Sequence, residues 1–455
     1  MESFNNIITS ICDMLWGAPM IILLFGTHLF LSIRLKFPQR KIWTAIKLSF
    51  AKDDENEGEV SQFGALATAL AATIGTGNIV GVGTAIALGG PGAVLWCWLT
   101  GIFGIATKYS EGLLAVKYRK KSESGHMLGG PMYALEYGLH CKWAGILFAI
   151  FTAVAAFGIG CTVQSNAIST LTCNVTGISP WITAIIVTVF TALVLIGGIR
   201  IIAKVCCALV PFMAIIYVLG CIVILCINHE YLWPAIKAIC EAAFNPEAAG
   251  AGFVGGSIIT AARYGIARGL FSNESGLGSA PLVAAAAKTR NPVRQALVSA
   301  SGTFWDTVVI CAITGIVIVS SVIRNPDISY VDGGQLTTLA FDKIPYVGEP
   351  LLLFGLVTFA FTTILGWCLY GQRAMEYLAG YKAMKVYTWV FVAFIFIGGV
   401  MELGIVWTIA DTFNALMAIP NLAALILLSG VIAKETNKYL WGNQLDMKHD
   451  NSDKE

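Results

Sequence analysis

Apolar residues in this chain gather into long runs separated by short polar stretches, and run length decides the element type. About 20 mostly apolar residues make a helix long enough to cross the hydrocarbon core of a bilayer. Such runs lie near 16–35, 63–88, 92–116, 143–172, 180–198, 201–227, 252–287, 296–323, 347–371, 386–401 and 404–433, which predicts about eleven transmembrane helices. Pro420 and Asn421 interrupt the last run and leave open a split into a short surface helix and a span. Arg34, Lys36, Arg40, Lys41, Lys47 and Lys52 follow the first run, which sets that end in the cytoplasm. Threading the runs alternately from there puts 24 of the 29 Lys and Arg on inner segments, with Lys108 counted in an inner loop around 108–142. Lys237, Arg324 and Lys343 fall outside, and Arg263 and Arg268 lie within a span. The expected topology is N-terminus outside, C-terminus cytoplasmic.

Composition supports lipid as the solvent. Hydrophobic residues make up 56% and charged residues 12% of the 455, against about 45–50% and about 25% in soluble domains, and mean hydropathy is +0.74. A net charge of +2 leaves no basic field for nucleic acid. The start, Met1-Glu2-Ser3, has no basic leader, so no cleaved signal peptide is expected. The twelve cysteines show no CxxC pairs and sit mostly in apolar runs, which reads as buried small hydrophobes. His28, His126, His140, His229 and His449 are too scattered for a metalloenzyme. No enzyme and no cofactor are expected.

Two of the runs are chemically odd. The second contains Gly75-Thr-Gly-Asn-Ile-Val-Gly-Val-Gly83, and the seventh contains Phe271-Ser-Asn-Glu-Ser-Gly-Leu-Gly-Ser-Ala-Pro281. Each glycine costs a helix about 1 kcal/mol and proline about 3 kcal/mol. Close packing through Gly77 and Gly81 accounts for small residues. It does not account for Asn273 and Glu274 at membrane depth. A dinucleotide loop is excluded, because its GxGxxG follows a strand. In a membrane, unwound backbone persists only where it is buried in protein or lines a cavity. With the first helix set aside, five runs remain on each side of the middle, and the interrupted run is the first of each five. An odd number per unit inverts the second, and paired breaks in inverted halves mark a transporter's midplane site. The expected division is an N-terminal helix and basic loop (1–60), a five-helix repeat (61–228), an outer loop (229–250), an inverted five-helix repeat (251–434) and a cytoplasmic tail (435–455).

These two stretches, with Ala85-Ile-Ala-Leu-Gly-Gly-Pro-Gly-Ala93 between them, resemble the alanine or glycine:cation symporter family over nearly the whole chain. The resemblance implies an all-α polytopic protein of the leucine-transporter fold in a prokaryotic inner membrane, importing small neutral amino acids with sodium. Ser275 departs from the family, which more often has alanine there.

A zwitterionic amino acid needs an anion hole and a cation hole a few ångströms apart, and a broken helix offers free N–H groups on one side and free carbonyls on the other. The carboxylate is expected against amides around Gly81–Gly83 and Gly276–Gly278, where missing side chains permit close approach. The ammonium is expected against carbonyls near Thr76 and Phe271–Asn273. Ile79, Gln164, Ser275, Trp367 and the Phe271 ring complete the candidate substrate site. By similarity to the leucine-transporter fold, sodium is expected on the carbonyls of Gly77, Val80 and Phe359 and the hydroxyls of Thr362 and Thr363. The simpler reading of those hydroxyls is a bond to their own helix. Thr84 and Asn273 are candidates for a second sodium. Arg263 or Arg268 is expected to pair with Asp411 or Asp306 in an outer gate. A proton-driven version would use Glu274 or Asp306.

Overall fold

The computed structural model describes residues 2–51, 58–245, 257–328, 333–401 and 404–448, and these are overwhelmingly helical. An amphipathic helix α1 (Glu2–Leu15) leads into α2 (Ala18–Arg34) and a short α3 (Ile42–Ser49). The second apolar run folds as α4 (Gln62–Thr73) and α5 (Val82–Gly89), bent by 54° at their junction. Then come α6 (Ala93–Lys117), a short turn α7 (Pro131–Tyr133), α8 (Lys142–Phe157), α9 (Val163–Thr176), α10 (Pro180–Ile196), α11 (Gly198–Ile227) and α12 (His229–Ala242). The second half comprises α13 (Ile258–Asn273), α14 (Pro281–Ala284), α15 (Pro292–Thr303), α16 (Ala312–Arg324), α17 (Gly333–Asp342), α18 (Gly348–Val400), α19 (Gly404–Leu427) and α20 (Ser429–Glu435). A two-stranded ribbon, β1 (Lys120–Lys121) with β2 (Met127–Leu128), follows α6.

Among the described residues, six helical segments are long and apolar enough to cross a membrane, and the bent pair α4–α5 makes a seventh if counted as one span. Helices occupy all eleven predicted runs, but α10 has 17 residues and α6 carries Lys108, Glu111 and Lys117. Two groups of helices emerge from the packing. One gathers α6, α13, α15 and α5; the other gathers α18, α8, α9 and α10, and α4 touches α18 between them.

Two sequence expectations change here, and a third is sharpened. Pro420 does not split the last run, because α19 continues through it to Leu427. The runs at 347–371 and 386–401 are two helices, as expected, and both lie within α18, which kinks between them at Gly380, at φ 77° and ψ −178°, a conformation open mainly to glycine. Lys108 is no loop residue: it lies inside α6, 3% exposed, with its Nζ 4.0 Å from Glu111 Oε2.

Candidate functional site

The first break falls at Ile74–Thr76. Ile74 is extended (φ −76°, ψ 93°), Asn78 Oδ1 accepts the Gly75 N–H at 2.8 Å, and the chain resumes as a π-helix over Gly77–Gly81. The asparagine thus satisfies an amide of the break itself from within the motif. Gly81 and Gly83 are past that restart in helical backbone, so the amides expected to be open there are not at the break.

Two side chains from neighbouring helices meet the break. Gln164, in α9, accepts from the Thr76 N–H at 3.4 Å and donates through Nε2 to Thr76 Oγ1 at 3.2 Å and Ile159 O at 3.0 Å. Thr363, in α18, donates to Phe359 O at 2.9 Å and to Ile74 O, on the residue where the chain opens, at 3.3 Å. The glycine at 75 is required: a Cβ there would stand 2.5 Å from Thr363 Oγ1. Thr362 donates to the same Phe359 O at 3.0 Å and approaches Met213 Sδ at 3.6 Å. Both threonines therefore bond their own helix, and Thr363 also bridges to the break.

The expected carbonyl partners differ. Val80 O accepts from Thr84 in its own helix at 2.9 Å, and a side chain on Gly77 would meet Phe271 and Ser272. The oxygens assembled around Thr363 are those of Ile74 and Phe359, with Thr362 alongside. Ile74 was missed because its side chain is apolar and only its carbonyl matters. Thr84 and Asn273 are not joined either; Asn273 donates to Thr307 at 3.1 Å.

The walls are aromatic. Phe271 lies against Gly77, and its ring centroid is 6.5 Å from that of Trp407. Trp367, 1% exposed, sits on Gly160 in the π-helical turn Gly158–Thr162, where an added Cβ would stand 2.0 Å from the Trp367 Cβ. Ile79 is buried towards Gly355, and its carbonyl accepts from Thr337 of α17 at 3.3 Å.

The second break runs from Glu274 to Ala280, with Glu274, Gly276 and Gly278 at φ 54°, 93° and 83°. Its amides are already taken. Glu111 of α6, fully buried, accepts from Gly276 N–H at 2.9 Å and Gly278 N–H at 3.1 Å on Oε1, which also receives Asn421 Nδ2 at 2.8 Å. The protein's own carboxylate thus fills the anion hole expected for substrate at Gly276–Gly278. Ser275 faces Thr303, 3.2 Å away, and Gly104, while Gly276 abuts Leu24 and Leu422; neither joins Thr76 or Gln164. Glu111 was visible only as a charge three residues after Lys108 in an apolar helix.

A polar hub ties the two breaks together. Asp306, in the π-helical stretch Phe304–Cys311, accepts from Asn78 Nδ2 at 2.7 Å, Ser272 Oγ at 2.9 Å and Thr307 Oγ1 at 2.6 Å. It is not part of an outer gate. Arg263 pairs with Asp13 at 3.8 Å, and Arg268 stacks over Phe271 at 5.8 Å; among the described residues neither forms an ion pair with Asp411 or Asp306, but Arg268 lies within electrostatic reach of Asp411. The buried ion pairs lie elsewhere. Arg373 holds Glu59 at 2.9 Å and Glu376 at 3.2 Å, and Glu376 receives His126 at 2.8 Å. Beside them the approach to α4 pairs with the end of the second broken helix, Lys288 N–H donating to Val60 O at 2.8 Å.

Bent and broken helices packed around a shared polar centre are the architecture expected of a membrane transporter, and a solved structure shares the fold. The fold is that of MhsT, a leucine-transporter-fold protein solved with L-phenylalanine, at a TM-score of 0.58 and 15% identity over 86% of this chain and 95% of that one. The family model for the sodium:alanine symporter family matches residues 1–454. The chain is 48% identical to the sodium/alanine symporter AgcS of Methanococcus maripaludis over 96% of its own length and 97% of that protein's. It is 34% identical to a probable sodium/glutamine symporter, GlnT, of Bacillus subtilis, over 94% and 89% of the two chains. The chain belongs to the sodium:alanine symporter family, whose members are multi-pass membrane transporters and not enzymes.

Proposed function

We propose that this protein imports alanine and glycine together with sodium by alternating access across a prokaryotic inner membrane. The observation that carries the reading is Thr363, whose hydroxyl lies 3.3 Å from Ile74 O and 2.9 Å from Phe359 O. Sodium is a hard cation served by carbonyls and hydroxyls without a carboxylate. Its proposed ligands are Ile74 O, Phe359 O, Thr363 Oγ1 and Thr362 Oγ1. The substrate carboxylate enters at Thr76 and Gly77, displacing the long 3.4 Å bond from Thr76 N–H to Gln164. The ammonium takes the last carbonyls of α13, and Phe271 and Trp367 limit side-chain size. The group of α6, α13 and α15 rocks against the group of α18, α8 and α9. The eleven-helix count, the inverted repeats and the N-out, C-in orientation belong to the same proposal.

The test is uptake of labelled alanine into proteoliposomes with and without a sodium gradient. Uptake independent of sodium at fixed pH, driven instead by a proton gradient, would select the alternative in which Asp306 or Glu274 carries the coupling charge. Leucine taken up as efficiently as alanine would overturn the small pocket.

A further inference from the structure

A cleft of about 330 Å³ opens where α10 ends, α11 begins and α18 turns at Gly380. Its walls are apolar, with Leu195, Ile196, Ile199, Trp389 and Val392 contributed by three helices. Ile196 and Trp389 are more than half exposed, so the cleft opens on the lipid-facing side. Its other end is polar and carries Lys385, Thr388, Gln372, Arg373 and His126. Helix ends and a turn lie at the boundary between hydrocarbon and headgroups, where Trp389 and Tyr381 are also at home.

The charges at that end are not balanced. Lys385 Nζ lies 4.7 Å above the Tyr381 ring and has no ion-pair partner among the described residues. Arg200, the residue after Ile199, is exposed and equally unpaired. The carboxylates nearest the cleft, Glu376 and Glu59, are both engaged by Arg373, with His126 and Ser124 also on Glu376. Buried Arg373 keeps an Nε with no acceptor, and the same residue lines the cleft. An occupant must therefore bring an acyl chain for the walls and an anion for the mouth. We infer that the cleft binds one anionic phospholipid, its acyl chain between α10 and α18 and its phosphate against Lys385. Basic pockets between helices at a membrane surface take such headgroups. Both leaflets can supply this ligand, so the inference is independent of the chain's orientation.

The test is lipid binding to the purified full-length protein by native mass spectrometry, titrating phosphatidylglycerol against phosphatidylcholine. The expected result is one phosphatidylglycerol retained in preference to phosphatidylcholine, with no retention of free glycerol phosphate. Lys385→Ala should weaken phosphatidylglycerol about fivefold, the equivalent of the about 1 kcal/mol one basic residue contributes at a membrane surface. Lys434→Ala, at an exposed and unpaired lysine on α20, should leave it unchanged. Equal retention of the two lipids, or a Lys385→Ala titration that overlays the wild type, overturns the inference. Free glycerol phosphate binding as well as the lipid would show an anion site without the acyl chain and overturn it too. Sodium-dependent alanine uptake by Lys385→Ala keeps this separate from the transport reading, since uptake with unaltered sodium dependence is expected whether or not the lipid binds.

Discussion

Removing the Thr363 hydroxyl should raise the sodium requirement of transport by about ten- to a hundredfold. The hydroxyl sits between Phe359 O at 2.9 Å and Ile74 O at 3.3 Å, one from each of the two elements that a cation there would bridge. Thr363→Ala deletes one oxygen of four proposed ligands, and a hydrogen-bond-scale contact to a charged group is worth about 1.5–3 kcal/mol. Each 1.4 kcal/mol is tenfold in concentration. Folding should suffer less, because the change removes one methyl and a neutral hydroxyl shared between Phe359 O and Ile74 O, and a neutral hydrogen bond is worth about 0.5–1.5 kcal/mol. Sodium and alanine binding are linked, so apparent alanine affinity should fall at low sodium and recover when sodium is raised. Thr363→Ser keeps the oxygen and should be mild. The assay is alanine uptake into proteoliposomes across a sodium titration at fixed membrane potential. A Thr363→Ala titration that coincides with wild type would show that the hydroxyl serves only its own helix, and the sodium assignment would fall.

Other substitutions probe different parts of the site. Gly75→Ala places a Cβ 2.5 Å from Thr363 Oγ1 and should abolish uptake while the protein still inserts; near-normal uptake would mean the break is not the site. Gly160→Ala drives a Cβ to 2.0 Å from the Trp367 Cβ and should cost about 1–3 kcal/mol by overpacking, read as lowered thermal stability in detergent. Arg373→Gln leaves Glu59 and Glu376 without their cation, and should raise the labelling rate of a cysteine placed at Gly77 from the Arg373 side; unchanged labelling would show that these ion pairs do not hold that end closed.

Much of the architecture was legible because membrane helices announce themselves by length and hydropathy, and because glycine and proline at mid-span contradict that pattern. The two breaks were found for this reason. Their exact placement was not, since it turns on Asn78 reaching back to the Gly75 N–H, a side-chain bond that glycine counting ignores. Thr363, Gln164 and Phe271 do gather at the first break, being polar or bulky residues with a reason to be noticed. Ile74 escaped because it contributes a carbonyl. Glu111 escaped because hydropathy treats a buried carboxylate as noise in an apolar helix, although such a charge needs partners and thereby locates the second break. Of the outer-gate pairs, Arg268 comes within electrostatic reach of Asp411 and the others do not form, for the opposite reason. Arg263 and Arg268 were visible as charges, but sequence alone holds no information on which carboxylate lies within reach.

The two breaks differ in how completely their amides are satisfied, and that difference argues for where substrate goes. At the second break one buried carboxylate, Glu111, takes both the Gly276 and Gly278 N–H groups at 2.9 and 3.1 Å, with Asn421 bracing it. Displacing it would strip a buried carboxylate of three hydrogen bonds and leave only Lys108, 4.0 Å away, to offset its charge, a cost that a substrate carboxylate must first overcome. At the first break the Thr76 N–H is held only by a neutral amide oxygen at 3.4 Å, at the limit of a hydrogen bond. Exchanging that contact for a charged acceptor is favourable, since charge-assisted bonds are roughly twice as strong as neutral ones. The second break is thus built rigid by the protein's own acid, and the first is left open to a ligand. Asp306, bonded to Asn78 beside one and to Ser272 beside the other, keeps the pair in register.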